Sequence, residues 1–208
     1  MVDKTILTVS NVCKQYDQRL VLSGVSFSAS AGESVVIAGA NGSGKSTLLR
    51  IVCGLTTLSS GEVTWQTQEG ALSPTQMLRR LGYVSPELGL YDRLSAFEHL
   101  ETFARLRCLQ LGPDVLSETL RRFGLGESMH RAVGEFSSGM KQRVKLALAT
   151  IHSPDVLVLD EPSSNLDEDG RQLVRELIHE VARHGLVLLA TNEVQEVAEY
   201  GQTVLRLD

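Results

Sequence analysis

The sequence predicts an α/β fold: a parallel core sheet that carries a small antiparallel β lobe and a helical subdomain. Three observations support this. Runs of strand length at residues 34–38, 156–159 and 186–190 are apolar on both faces, as buried parallel strands are. Helical periodicity lies between the later runs, and strands that alternate with helices imply a parallel sheet. Residues 96–150 show helical spacing instead of strand pattern. Phe97, Leu100, Phe103, Ala104 and Leu106 recur on one face, then Val115, Leu116, Leu120 and Phe123 on another.

The elements follow in order. Short runs at 6–9, 25–28 and 62–65 alternate, or are bounded by glycine and polar residues, and read as strands of the antiparallel lobe. Residues 34–38 close on Gly39 as a buried strand that feeds a loop. Residues 46–53 then form a helix that stops at Gly54. Residues 66–75 read as turns, and Gly112-Pro113 separates two helices. Leu173, Leu177, Ile178 and Val181 mark an amphipathic helix between the last two buried strands. The expected organisation is one domain over 1–208. Within it the β lobe occupies 1–30 and 60–85, the helical subdomain 88–150, and the core 31–58 and 151–208.

Composition narrows the function. The net charge is -5, so a polyanion-binding role is disfavoured and no nucleic-acid partner is expected. Cys13, Cys53 and Cys108 are few and far apart, which fits neither a disulfide framework nor a zinc site. A reduced cytosolic compartment is the simplest setting. The longest apolar runs are strand-sized, far short of a membrane span. The five histidines, His99, His130, His152, His179 and His184, read as solvated surface residues, as does the acidic stretch 193–199. Trp65 reads as packing within the small lobe.

Two motifs carry chemistry. Gly39-Ala40-Asn41-Gly42-Ser43-Gly44-Lys45-Ser46, followed by Thr47, fits G-x-x-x-x-G-K-[ST] between a strand and a helix. Glycines let successive N–H groups curl toward one anion, and the following helix adds its positive end. Lys45 can reach the β- and γ-phosphates of ATP, and the Ser46 hydroxyl can ligate Mg²⁺. Downstream, Asp160 and Glu161 stand at the carboxyl end of the strand 156–159, where such sheets bind ligands. Asp160 can hold Mg²⁺ through water, and Glu161 can act as general base on the attacking water. Alone, the pair would be equally compatible with a solvated acidic turn; beside a phosphate loop, function is the better reading.

An ordered set of further motifs resembles the ATPase subunits of ABC transporters. Phe136-Ser137-Ser138-Gly139-Met140, followed by a helix expected over 144–152, resembles the family's signature. Ser164, Asn165, Leu166 and Asp167 look like its D-loop, and Tyr16 lies where the family carries the aromatic that stacks on adenine. The resemblance covers nearly the whole chain. It implies a P-loop NTPase (RecA-like) core, ATP and Mg²⁺ as ligands, and ATP hydrolysis. It implies an ATP sandwich of two copies in which Ser137 and Gly139 meet the other copy's γ-phosphate. It also implies separate membrane permease subunits, and hence a place at the cytoplasmic face of the cell membrane. The compact length and the segments 91–98 and 190–193 look most like the haem exporter ATPase of cytochrome c maturation. Another exporter of a drug, polysaccharide or lipid is the alternative, as is a slow or non-hydrolysing switch. The permease surface is expected in the groove near 87–93.

The chain departs from the family pattern at three places. The signature has Ser138 for a glycine and Met140 for the glutamine. The Q-loop has no glutamine: Glu87 is the candidate Mg²⁺ ligand there, with Pro86 one residue away in an ungapped reading. Asn192 stands at the switch histidine. A hydrogen-bonding pin survives that exchange in part, whereas a proton-handling group does not. With Glu161 intact, hydrolysis is expected to persist. A repair-type ABC ATPase would need a long coiled coil after the phosphate loop, and a translation-type protein a second cassette; neither pattern is present.

Overall fold

The computed structural model describes residues 5–207. β1 (Ile6–Tyr16) and β2 (Arg19–Ser30) form a hairpin across Asp17 and Gln18. Asp17 has φ 50°, a left-handed conformation that matches the twist of a tight hairpin and that aspartate tolerates. β3 (Ser34–Gly39) leads into α1 (Lys45–Val52), and β4 (Ser60–Thr67) returns to pair with β1. β5 (Gly70–Ala71) completes an antiparallel sheet in the order β2-β1-β4-β5.

After α2 (Pro74–Arg80), β6 (Leu81–Val84) enters the second sheet. α3 (Ala96–Leu106), α4 (Pro113–Arg122) and α5 (Ser138–Thr150) build the helical region. The chain ends with β7 (Val156–Asp160), α6 (Glu168–Ala182), β8 (Leu186–Thr191), α7 (Val194–Tyr200) and β9 (Thr203–Leu207). The second sheet is five-stranded and parallel, in the order β6-β7-β8-β3-β9. β7 and β8 are buried along their whole length, which explains their unbroken apolar runs. The α/β expectation of a parallel core, a small antiparallel sheet and packed helices matches this architecture.

The parallel sheet separates two cores. Val35, Ile37, Val156, Val158 and Leu188 pack on the side of α1 and the antiparallel sheet. Val36, Leu157, Leu159, Val187 and Leu189 pack on the side of the helical region and α6. Each such side chain contributes about 1.5–3 kcal/mol when fully buried.

Five expectations are corrected. Residues 81–84 were assigned to the β lobe but pair with β7 in the parallel sheet, where Leu81 and Val84 are buried. Residues 66–75 hold more than turns: α2 starts inside them, with Pro74 in its first turn and a capping box between Ser73 and Gln76. The signature helix begins at Ser138, not at 144, because the Ser137 hydroxyl caps it by accepting from Met140 N at 3.2 Å. His99 is buried, its Nδ1 2.8 Å from Ser95 O and its Nε2 accepting from Tyr91 N at 2.9 Å. His152 is half-buried, and burial pushes its imidazole down to about 4. Finally, Glu196, in the stretch expected to be solvated, is buried and accepts a hydrogen bond from Ser163. Trp65 also does more than pack: its Nε1 donates to Val52 O at 3.0 Å and ties the antiparallel sheet to the end of α1.

Leu188 is fully buried in β8, next to β3 and the loop that follows it. Leu188→Ala is expected to cost about 2–5 kcal/mol of stability, read as a lowered denaturation midpoint in urea. A change below about 1 kcal/mol would mean that this side of the core is loosely packed.

Candidate functional site

β3 ends at Gly39, and no side chain would fit there: a Cβ would stand 2.4 Å from Leu207 O and 2.5 Å from Ser43 Oγ. The loop then turns through Gly42 and Gly44, and Gly44, at φ 100°, begins α1. A Cβ at Gly44 would meet Leu22 at 2.8 Å and Val21 O at 3.0 Å, so the loop is pressed against β2. Lys45 is 5% exposed, and its Nζ donates to Gly39 O at 2.9 Å and Ala40 O at 3.0 Å. Those bonds hold the loop closed, with its helix end turned outward.

A cleft of about 380 Å³ opens over this loop, lined by Asn41, Gly42, Gly44, Lys45, Ser46 and Thr47 together with Arg19, Val21 and Glu161. The sequence-expected loop residues and Glu161 therefore meet in one place. Arg19 and Val21 were not anticipated. They arrive because the tight hairpin sets Arg19 directly opposite Tyr16. Facing residues of an antiparallel pair share a side, so Tyr16 and Arg19 stand side by side. Tyr16 is 44% exposed, with the Lys14 ammonium 4.5 Å from its ring centroid. The two-residue Asp-Gln link between strands was the signal in the sequence.

Asp160 lies beneath the cleft. Burial is the main cause that raises its carboxyl above the usual range, and the neighbouring Glu161 adds to it; the Ser46 hydroxyl, Arg50 and Lys45 oppose the rise. Its Oδ1 is buried and, among the described residues, without a hydrogen-bond partner. An orphaned carboxylate oxygen beside a hydroxyl is a fitting pair of hard oxygen donors for Mg²⁺. Glu87 is not brought to this pair. Its exposed carboxylate is ion-paired with Arg50 at the end of α1, and the Arg50 guanidinium holds it below the usual carboxylate range. The contact the structure gives Glu87 is thus an ion pair with Arg50, not a bond to Ser46 or Asp160. Pro86 lines a neighbouring cleft that Glu161 also lines, its carbonyl accepting from Lys145 Nζ at 3.0 Å.

Asn192 Nδ2 donates to Asn41 Oδ1 at 2.9 Å, so the switch position touches the loop directly. Ser138 of the signature lines a different cleft, of about 280 Å³, with Ser164, Asn165 and, again, Glu161. Ser137, Gly139 and Met140 sit at the start of α5, and none of them lines the phosphate cleft of their own chain. In the D-loop, Asn165 has φ 64° and Leu166 is buried. Asp167 caps α6 by accepting from Gly170 N at 2.9 Å. That bond and Arg143 hold its carboxyl low.

Comparison with known proteins agrees with this geometry. A family model described as ABC transporter matches residues 22–164. The lantibiotic transport ATP-binding protein SrtF of Streptococcus pyogenes is 32% identical over 195 residues, covering 94% of this chain and 83% of that protein. The cytochrome c biogenesis ATP-binding export protein CcmA of Cupriavidus pinatubonensis is 33% identical over 190 residues, covering 91% and 84%. A solved dimeric post-hydrolysis state of an ATP-binding cassette, bound to ADP and Pi, superposes with a TM-score of 0.85 at 25% identity, covering 97% of this chain and 94% of that one. The chain belongs to the ABC transporter family, as an ATP-binding subunit. Among the described residues no helix is long and apolar enough to cross a membrane.

The environment of Asp160 generates a stability prediction. A carboxyl raised by burial binds its proton more tightly in the fold than in the unfolded chain. Its ionisation therefore lowers stability as pH rises from about 4 upward. Asp160→Asn is expected to raise the Tm of the nucleotide-free protein at neutral pH and to flatten the pH dependence in that range. A Tm below that of the wild type would contradict the burial argument.

Proposed function

We propose that this chain hydrolyses ATP with Mg²⁺ and drives an export-type membrane permease, working as one of two copies that sandwich two nucleotides. The observation that carries the reading is the single cleft shared by the phosphate loop, Lys45, Ser46 and the Glu161 carboxylate. Ser46 and Asp160 are the residues we assign to Mg²⁺, whose chemistry there is to neutralise charge on the phosphates. The loop N–H groups and Lys45 bind and orient the phosphates. Glu161 stands at the cleft edge and accepts a proton from the attacking water. Tyr16 stacks on adenine, and Arg19 adds a positive charge at the cleft wall. Asn192 pins the loop through Asn41 as a neutral donor.

The signature residues Ser137, Ser138, Gly139 and Met140 complete the site of the opposing copy. Their absence from their own chain's phosphate cleft supports that arrangement, as does the dimeric cassette to which the fold is similar. Of the D-loop residues, Ser164 and Asn165 line the same cleft as Ser138, and we assign Ser164, Asn165, Leu166 and Asp167 to the same interface. For the permease we assign an apolar groove of about 350 Å³ between α3 and the segment 88–94, where Tyr91 and Leu106 are 75% and 79% exposed. The cargo we propose is haem, on the segments noted in the sequence and the similarity to CcmA. Co-purification of a membrane subunit with bound haem checks it; a lantibiotic or other permease in its place overturns the cargo assignment alone. A second reading, a slow nucleotide-gated switch, is favoured by Asn192 at the switch position and by the Arg50–Glu87 ion pair.

Single-turnover ATPase with Mg²⁺ separates the two readings. Glu161→Gln is expected to slow hydrolysis by about 10²–10⁴-fold with ATP binding retained. A wild type no faster than that variant establishes the switch. Arg19→Ala is expected to weaken ATP binding about two- to fivefold, and the effect should shrink as salt is raised. Unchanged affinity at low salt would remove Arg19 from the site.

A further inference from the structure

Glu161 is held in a conformation that needs external restraint. Its φ is 47°, in the left-handed region, and the next residue is Pro162, which restricts the preceding backbone further. Such strain persists only where neighbouring contacts over-determine it. Glu161 N donates to Ala190 O at 2.9 Å, and Glu161 O accepts from Ser164 N at 3.2 Å. Pro162 has no N–H, so its carbonyl is the only backbone group that can be anchored by a hydrogen bond. The anchor is Gln142. This side chain is 7% exposed, and its Nε2 donates to Pro162 O at 2.9 Å.

Gln142 belongs to α5, the helix that begins with the signature. α5 meets the same loop twice more. Arg143 Nη2 donates to Asp167 Oδ1 at 2.7 Å, and a Cβ at Gly139 would stand 2.8 Å from Asn165 O. From α7, buried Glu196 accepts from buried Ser163. The loop 161–167 is therefore gripped from both sides, and the grip made by Gln142 falls on Pro162, the residue that follows Glu161 in sequence.

We propose that Gln142 is a positioning residue for Glu161. By anchoring Pro162 it keeps the Glu161 carboxylate at the phosphate cleft, and it makes that placement depend on the signature helix of the same chain. The inference rests on the assignment of Glu161 as general base. A shift of α5 away from the loop frees Pro162, lets the Glu161 backbone relax and slows proton removal from water while the phosphate loop stays intact. The helical region thus reaches the chemistry of its own chain's cleft without touching the nucleotide there.

The test uses the full chain, with Gln142→Met and Gln142→Leu as two variants of similar size that lack the donor. Their Tm and ATP affinity are measured beside single-turnover hydrolysis. Hydrolysis is expected to fall at least tenfold in whichever variant folds, with ATP affinity within about twofold of the wild type. In a Glu161→Gln background the same substitutions are expected to cause no further loss, because the group they position is gone. An additive loss, or a loss of affinity that matches the loss of rate, overturns the inference. If Glu161→Gln is slow but the Gln142 variants are not, only this inference fails. If Glu161→Gln hydrolyses as fast as the wild type, the general-base assignment fails first.

Discussion

The hydrogen bonds of Lys45 Nζ to the carbonyls of Gly39 and Ala40 hold the loop between β3 and α1 in its curled form. A buried ammonium is costly unless it is bonded, and here loop carbonyls bond it. The rest of the fold places groups around that loop. β3 lies between β8 and β9, so the loop emerges at the carboxyl edge of a sheet buried on both faces. β7, on the other side of β8, brings Asp160 to the same edge. The antiparallel sheet presses Val21 and Leu22 against Gly44, which keeps the loop from opening toward β2.

The parts legible in the sequence were those set by local chemistry or by period. The phosphate loop, the acidic pair and the buried strands could be read because glycine, lysine and unbroken apolar runs each have few structural uses. The helix that follows Ser137 is read as starting several residues late, since its first turn, 138–141, carries no apolar stripe. What remained hidden depends on partners far away in sequence. Residues 81–84 look like a short lobe strand until β7 is there to pair with them. Glu196 looks solvated until Ser163, far upstream in the chain, comes beneath it. Glu87 resembles a metal ligand until Arg50, from the end of α1, claims it. Arg19 entered the cleft through hairpin geometry, and Gln142 through a contact between a helix and a loop twenty residues later.

The site also shows how strain is distributed. Glu161 and Asn165 both adopt positive φ within one short loop, each at a cost of about 1–3 kcal/mol. The segment between them is held by contacts from α5, β8 and α7, elements that belong to different parts of the chain. A loop with such varied supports is sensitive to the arrangement of the whole molecule.

The two cores on either face of the parallel sheet have a further consequence. Neighbouring residues of one strand, such as Val35 and Val36 or Leu188 and Leu189, serve different compartments. The sheet acts as a bulkhead. Repacking on the helical side can proceed without a compensating change among the residues that support α1 and the phosphate loop. The architecture therefore lets one compartment change its packing while the residues beneath the phosphate loop stay as they are.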